Sequence, residues 1–162
     1  MAIATKEDEN ITIKVNDCII PKFQPIMDDI LDHNHVHYVF KGGRGSTKSS
    51  FISEVLPLLI VNNPSCHAVI FRQVGNTIKN SVWSQVVWGI EKMGLLDYFK
   101  IPKTIASPIV FLPTGQQILF MGLDDPNKVK SIKLPFGYIG ITWLNYLLTR
   151  INSLLSRKLL TV

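Results

Sequence analysis

Lys48 and Ser49 follow a run of small residues, Gly42-Gly43-Arg44-Gly45-Ser46-Thr47. An ammonium and a hydroxyl at the end of a glycine-rich turn suit the holding of phosphate oxygens. Successive backbone N–H groups curl round such an anion, and glycines let the backbone come close. Tyr38, Val39 and Phe40 before the turn predict a strand, and the apolar run after Ser49 predicts a helix. That order is the layout of a P-loop. The helix N-terminus adds unpaired N–H groups and the positive end of its dipole. The cradle then comprises Gly42, Gly43, Arg44, Gly45, Ser46, Thr47, Lys48, Ser49 and Ser50. Lys48 reaches the β- and γ-phosphates of ATP, and the Ser49 hydroxyl sits on Mg²⁺. The pattern departs at position 47, where glycine is expected and threonine stands. A β-branched residue there predicts a backbone that avoids the left-handed region. A glycine-rich strand-to-helix turn with no ligand is the simpler alternative.

Elements on both sides must position this turn. The chain has 162 residues, enough for one domain with a real core. Apolar content of 46% and charged content of 18% fit a globular protein. A net charge of +5 favours polyanionic partners such as nucleotides or DNA. Two cysteines, Cys18 and Cys66, make no disulfide framework and suit a reducing cytoplasm. The polar, acidic start is not a signal peptide, and no apolar run is long enough to span a membrane.

Taken in order, residues 1–20 are a lead-in, with a frayed start and a short strand expected over 11–15. A short helix is expected over 26–31. Gln24 lies upstream of the loop, where some nucleotide motors read adenine with a glutamine; a solvated loop glutamine is the plainer reading. His33, His35 and His37 alternate, so an extended chain puts them on one face, a possible Zn²⁺ set. With no Cys or carboxylate ligand evident beside them, partly exposed histidines are the better reading. The helix after the loop is expected over 49–61, apolar nearly all round, with Pro57 kinking or shortening it. A buried strand over 67–72 ends in Arg72, at the sheet edge that faces ligands in open α/β folds. Arg72 is therefore a candidate for sensing phosphate or DNA, with a surface ion pair as the alternative.

A helix is expected over 77–93, stopped by Gly94. Its Trp83, Trp88 and Lys79 could touch a base or sugar, although core packing is the commoner role of such tryptophans. Residues 109–112 and 117–121 read as a hairpin round Pro113-Thr114-Gly115. Residues 138–144 form one more buried-type strand. Leu147, Leu148, Ile151, Leu154, Leu155, Leu159 and Val162 share one helical face. Residues 145–162 are thus expected to be a basic amphipathic tail that covers sheet. No Asp or Glu follows Asp125.

With these pieces placed, the chain resembles the N-terminal ATPase domain of a tailed-phage terminase large subunit. The resemblance is carried by residues 41–50 (KGGRGSTKSS), 68–83 (AVIFRQVGNTIKNSVW), 113–120 (PTGQQILF), 122–132 (GLDDPNKVKSI) and 140–144 (GITWL). It implies a motor that hydrolyses ATP in a ring, docks on a portal, works with a small terminase subunit and pumps double-stranded DNA. It also implies roles for Lys48 and Ser49 on phosphate and Mg²⁺, and makes Arg44 an arginine that stabilises charge on the γ-phosphate. In that family the second acidic strand ends in paired carboxylates. Here the corresponding strand ends Trp143-Leu144-Asn145-Tyr146, without one. Asp124 and Asp125, after the apolar residues 118–121, are the rival acidic pair and metal ligands.

The fold expectation is α/β, a partial P-loop NTPase domain over residues 21–144 with a mostly parallel sheet flanked by helices. The functional expectation is a truncated terminase ATPase fragment, as from a decaying prophage, in the cytoplasm of a bacterial host. It is expected to bind ATP and Mg²⁺, with little hydrolysis and no DNA cleavage. The alternative is a non-enzymatic fragment that binds DNA or intact subunits through its basic segments.

Overall fold

The computed structural model describes residues 5–6, 9–10, 18–32, 34–35, 37–43, 45–64, 66–72, 79–122, 138–142 and 147–151. At the start, β1 (Thr5–Lys6) pairs antiparallel with β2 (Glu9–Asn10), where a frayed lead-in was expected. The strand expected over 11–15 lies outside the described residues.

A 3-10 turn at Pro21–Phe23 leads into α1 (Gln24–Leu31), which buries Met27 and Ile30. Then come β3 (His37–Val39), the glycine-rich loop, and α2 (Lys48–Asn62). Every residue of α2 from Phe51 to Val61 is buried, as its all-round apolar sequence requires. Pro57 does not shorten it; the helix runs on to Asn62. A proline has no N–H for the Ser53 carbonyl one turn back. That carbonyl instead faces Gly89, where a Cβ would lie 2.0 Å from Ser53 O.

β4 (His67–Arg72) follows, then a π-type turn at Lys79–Trp83 and α3 (Ser84–Lys92). The stretch expected to be one regular helix thus begins with a wider turn. α3 ends at Gly94, with a φ of 69°. The remaining strands are β5 (Phe99–Lys100), β6 (Ile109–Phe111), β7 (Gln117–Gly122), β8 (Tyr138–Thr142) and β9 (Leu147–Ile151).

Seven of these strands form one sheet in the order β3-β9-β8-β4-β7-β6-β5. The expected mostly parallel sheet is corrected to a mixed one. Only the β4–β7 and β4–β8 ladders are parallel; the other four are antiparallel. Short connections are the reason, since a few residues can join only antiparallel neighbours. β6 turns into β7 through the bonds Gly115 N–H to Phe111 O (2.8 Å) and Phe111 N–H to Gln116 O (2.8 Å). β9 follows β8 after only residues 143–146. Even so, β3, β8, β4 and β7 all run in one direction, because β9 is antiparallel to both β3 and β8. Their C-terminal ends therefore emerge at one edge of the sheet.

The expected helical tail over 145–162 is corrected at residues 147–151, and residues 145–146 and 152–162 lie outside the described residues. Its leucines fit a helical face, yet Leu147–Ile151 is a strand. The slot between β3 and β8 offers hydrogen bonds on both sides, and Thr149 and Ile151 are β-branched residues that suit it.

Two polar contacts fasten the core. Glu54, 2% exposed, meets the Lys92 ammonium at 2.5 Å, and Lys92 also donates to Cys18 O at 2.8 Å. The pair joins α2 to α3, and a charge so buried needs a partner. Buried Gln116 donates its amide to Ile60 O (2.9 Å), Cys66 O (2.8 Å) and Asn63 O. It ties the β6–β7 turn to the carbonyls that α2 leaves open at its end.

Two substitutions probe these joints. Gly89→Ala adds about 1 kcal/mol of helix propensity, but its methyl collides with Ser53 O, so a net loss of about 2 kcal/mol is expected in urea unfolding. A rise in stability would mean that the two helices are not so close. Leu148→Pro removes a ladder N–H from β9. Faster amide exchange at residues 37–39 is the expected result, and unchanged exchange would show that β3 is held by something else.

Candidate functional site

The loop after β3 is pinned at both flanks by aromatic packing. Phe40, just before the loop, meets Phe51 edge-on at 5.6 Å. Phe51, in the first turns of α2, stacks on Phe23 at 4.4 Å and 11°. One cluster thus fixes where the strand leaves off and where the helix begins.

Between these flanks, Lys48 turns its ammonium into the loop. Its Nζ donates to Gly42 O at 2.7 Å, to Gly43 O at 3.0 Å and to Ser46 Oγ. Ser46 Oγ in turn donates to Gly43 O at 2.8 Å, and Lys22 Nζ reaches Ser46 O at 3.4 Å. Lys48 is 7% exposed, so these acceptors are what make its burial tolerable. Glycine suits position 42, where φ is 156° and a Cβ would stand 3.3 Å from both Lys48 Nζ and Ser46 Oγ.

Thr47 is where the structure departs most from expectation. Its φ of 59° and ψ of 11° are left-handed, the conformation that its branched side chain was expected to avoid. The helix demands it, since Phe51 N–H donates to Thr47 O at 3.0 Å in the first turn. The chain must enter α2 through residue 47, and the bend has been placed on a residue that pays in strain. No side chain caps the helix at Thr47, whose Oγ1 donates instead to Ser46 O at 2.7 Å. The N–H groups of Lys48, Ser49 and Ser50 have no partner within the helix.

A buried ammonium, a close-packed glycine and a helix N-terminus together fit a phosphate group. Ser49, half-buried in the first turn of α2, would bring a hydroxyl to Mg²⁺, with the ligand's own oxygens supplying other positions. Among the described residues, no three His, Cys, Asp or Glu side chains gather into a metal site.

Arg44, Asp124 and Asp125 lie outside the described residues. β7, which precedes the two aspartates, stands four strand positions from β3, roughly 19 Å. β8 stands two positions away, so its C-terminal end at Thr142 is closer to β3 than that of β7. Arg72 ends β4, half-buried, and donates from Nη1 to Ser81 Oγ in the π-type turn. Nothing in the sequence singled out Ser81. Its partner is set by a nine-residue excursion, which no helical or strand period encodes.

His33 is outside the described residues, while His35 and His37 are exposed. His35 Nδ1 lies 2.8 Å from Asp29 Oδ2. Hydrogen bonds from Tyr38 and His35 hold the Asp29 carboxyl below the ordinary carboxylate range. Gln24 opens α1 and is half-buried. Trp83 is half-buried, with its Nε1 lacking a hydrogen-bond partner. Trp88 is 40% exposed, with the Lys92 ammonium 5.1 Å above its ring. Among the described residues, no helix is long and apolar enough to cross a membrane.

Comparison with known proteins adds a lineage. The family model for the phage terminase large subunit matches residues 34–149. That match runs five residues past the boundary at 144 read from the sequence, and so takes in part of β9. The chain is 33% identical over 137 residues to the terminase large subunit of Bacillus phage SPP1, covering 83% of this chain and 32% of that protein. It is 27% identical over 128 residues to the PBSX phage terminase large subunit of Bacillus subtilis (strain 168), covering 78% and 28%. The chain spans about a third of the length of the curated relatives it matches.

The strain at Thr47 can be measured. Thr47→Gly removes a left-handed cost of about 1–2 kcal/mol, partly offset by the freedom glycine gains when unfolded. A net gain of about 1 kcal/mol is expected in urea unfolding. A loss of that size would show that Thr47 is not left-handed.

Proposed function

The chain belongs to the phage terminase large subunit family, and we propose from that premise that it carries the nucleotide-binding part of a viral DNA-packaging motor. The observation that carries this reading is the Lys48 ammonium, held inside the loop by the Gly42 and Gly43 carbonyls. In this reading residues 42–50 are a P-loop. Its N–H groups and Lys48 hold the phosphates of ATP. Ser49 binds the accompanying Mg²⁺, which neutralises charge on the phosphate oxygens.

The same reading gives weak hydrolysis. β8 occupies the position from which a carboxylate pair would face the phosphates, and Trp143-Leu144-Asn145-Tyr146 follow it. Asn145 cannot take a proton from water. Loss of a group that orients and deprotonates the attacking water costs about 100-fold to 10,000-fold in rate. Asp124 and Asp125 follow β7, which stands farther from β3 than β8 does, so this reading does not assign them the role. Double-stranded DNA, a portal and a small terminase subunit are the partners this lineage suggests, in the cytoplasm of a bacterial host.

Binding of a fluorescent ATP analogue, with Mg²⁺, tests the proposal. The unaltered chain is expected to bind it, and Lys48→Ala is expected to weaken binding by about tenfold or more, the worth of its charged hydrogen bonds. Turnover should stay near background in the chain and in Asp124→Ala/Asp125→Ala alike. Turnover abolished by the aspartate changes would put the acidic pair after β7. DNA binding that falls steeply with salt, without any nucleotide binding, would favour a non-enzymatic DNA-binding fragment instead.

A further inference from the structure

A cleft of ≈ 380 Å³ is lined by Ser50, Ser81, Ser84, Gln85 and Trp88. One wall belongs to the first turn of α2, beside Lys48 and Ser49. The opposite wall is the π-type turn and α3. The cleft thus opens directly beside the phosphate cradle, yet none of its lining residues carries a charge.

The charge comes from behind. Arg72 ends β4 at the same sheet edge as the loop, and its Nη1 donates to Ser81 Oγ. β4 is three strand positions from β3, roughly 14 Å. Ser81 and Ser50 both line the cleft, and Arg72, which does not line it, reaches it through its bond to Ser81. A guanidinium held behind this wall by a hydroxyl keeps its remaining N–H groups in a fixed fork.

We infer that Ser81 is a positioning residue, which holds Arg72 behind the wall of this cleft so that the guanidinium reads the terminal phosphate of a bound nucleoside triphosphate. This rests on residues 42–50 being a phosphate cradle. The wider π-type turn has a purpose in this arrangement. It sets Ser81 against β4 before the chain enters α3, and α3 is locked to α2 by Gly89 and by the Glu54–Lys92 pair. The helix that follows Ser81 is therefore fastened to the helix whose first turn bears Lys48 and Ser49.

A nucleoside diphosphate lacks the group that Arg72 reads, so the ratio of ATP to ADP affinity isolates this contact. Binding of each nucleotide would be measured by titration calorimetry with Mg²⁺. Ser81→Ala is expected to lower that ratio by about threefold to tenfold, with ADP affinity and thermal unfolding unchanged. Ser81→Thr keeps the hydroxyl and should restore the ratio, and Arg72→Ala should abolish it. An unchanged ratio in Ser81→Ala, or equal loss of ATP and ADP, would overturn the positioning role while leaving the cradle in place. Failure of the unaltered chain to bind either nucleotide would overturn both.

Discussion

Among the described residues β3 has one neighbour in the sheet, β9, and the place of the strand before the loop depends on that ladder. The pairs His37 with Thr149, Tyr38 with Leu148 and Val39 with Leu147 are what join the strand before the loop to the rest of the sheet. On its other side, β9 is hydrogen-bonded along its whole length to β8. A strand of three residues cannot hold its place by its own propensity. It holds by sharing a partner with β8, and the direction of that partner aligns β3 with β4, β7 and β8. The common edge at which the loop, Arg72 and the end of β8 emerge is a consequence of this arrangement.

The second constraint is α2. It is buried on all sides, so its start cannot shift without disturbing the whole core. Phe51 fixes the first turn, the Ser53 carbonyl meets Gly89, Glu54 meets Lys92, and Gln116 closes the end. With both β3 and α2 fixed, the residues between them must take up whatever bend is left. This explains how Thr47 comes to be left-handed: the cost is local, and the packing that enforces it is distributed over the core.

The sequence disclosed the elements whose period is strong. The β6–β7 hairpin, β4 and α2 follow from short apolar runs and turn residues. The order of strand, glycine-rich loop and helix follows likewise. What was illegible depended on neighbours. Pro57 breaks helices in general, but α2 continues because the packing around it outweighs one lost bond. Leu147 and Leu148 begin a run that satisfies a helical period, and the slot between β3 and β8 makes residues 147–151 a strand instead. The mixed sheet follows from the same decision. Thr47 was read by its intrinsic preference, which tertiary packing overrode. The Arg72–Ser81 bond crosses a stretch whose spacing encodes no contact.

In the proposed reading, two halves of one site are built by different means. The cradle is local: β3, the loop and the first turn of α2 are contiguous in sequence, and Lys48 finds its acceptors within six residues. The reacting half is not local, because it depends on which side chains follow β8 and β4 at the shared edge. A cradle can therefore survive intact where the side chains at those distant strand ends change. In that reading, holding a phosphate and activating water against it are separable. Their only backbone connection within the sheet, from β3 to β8, is the strand β9 that lies between them.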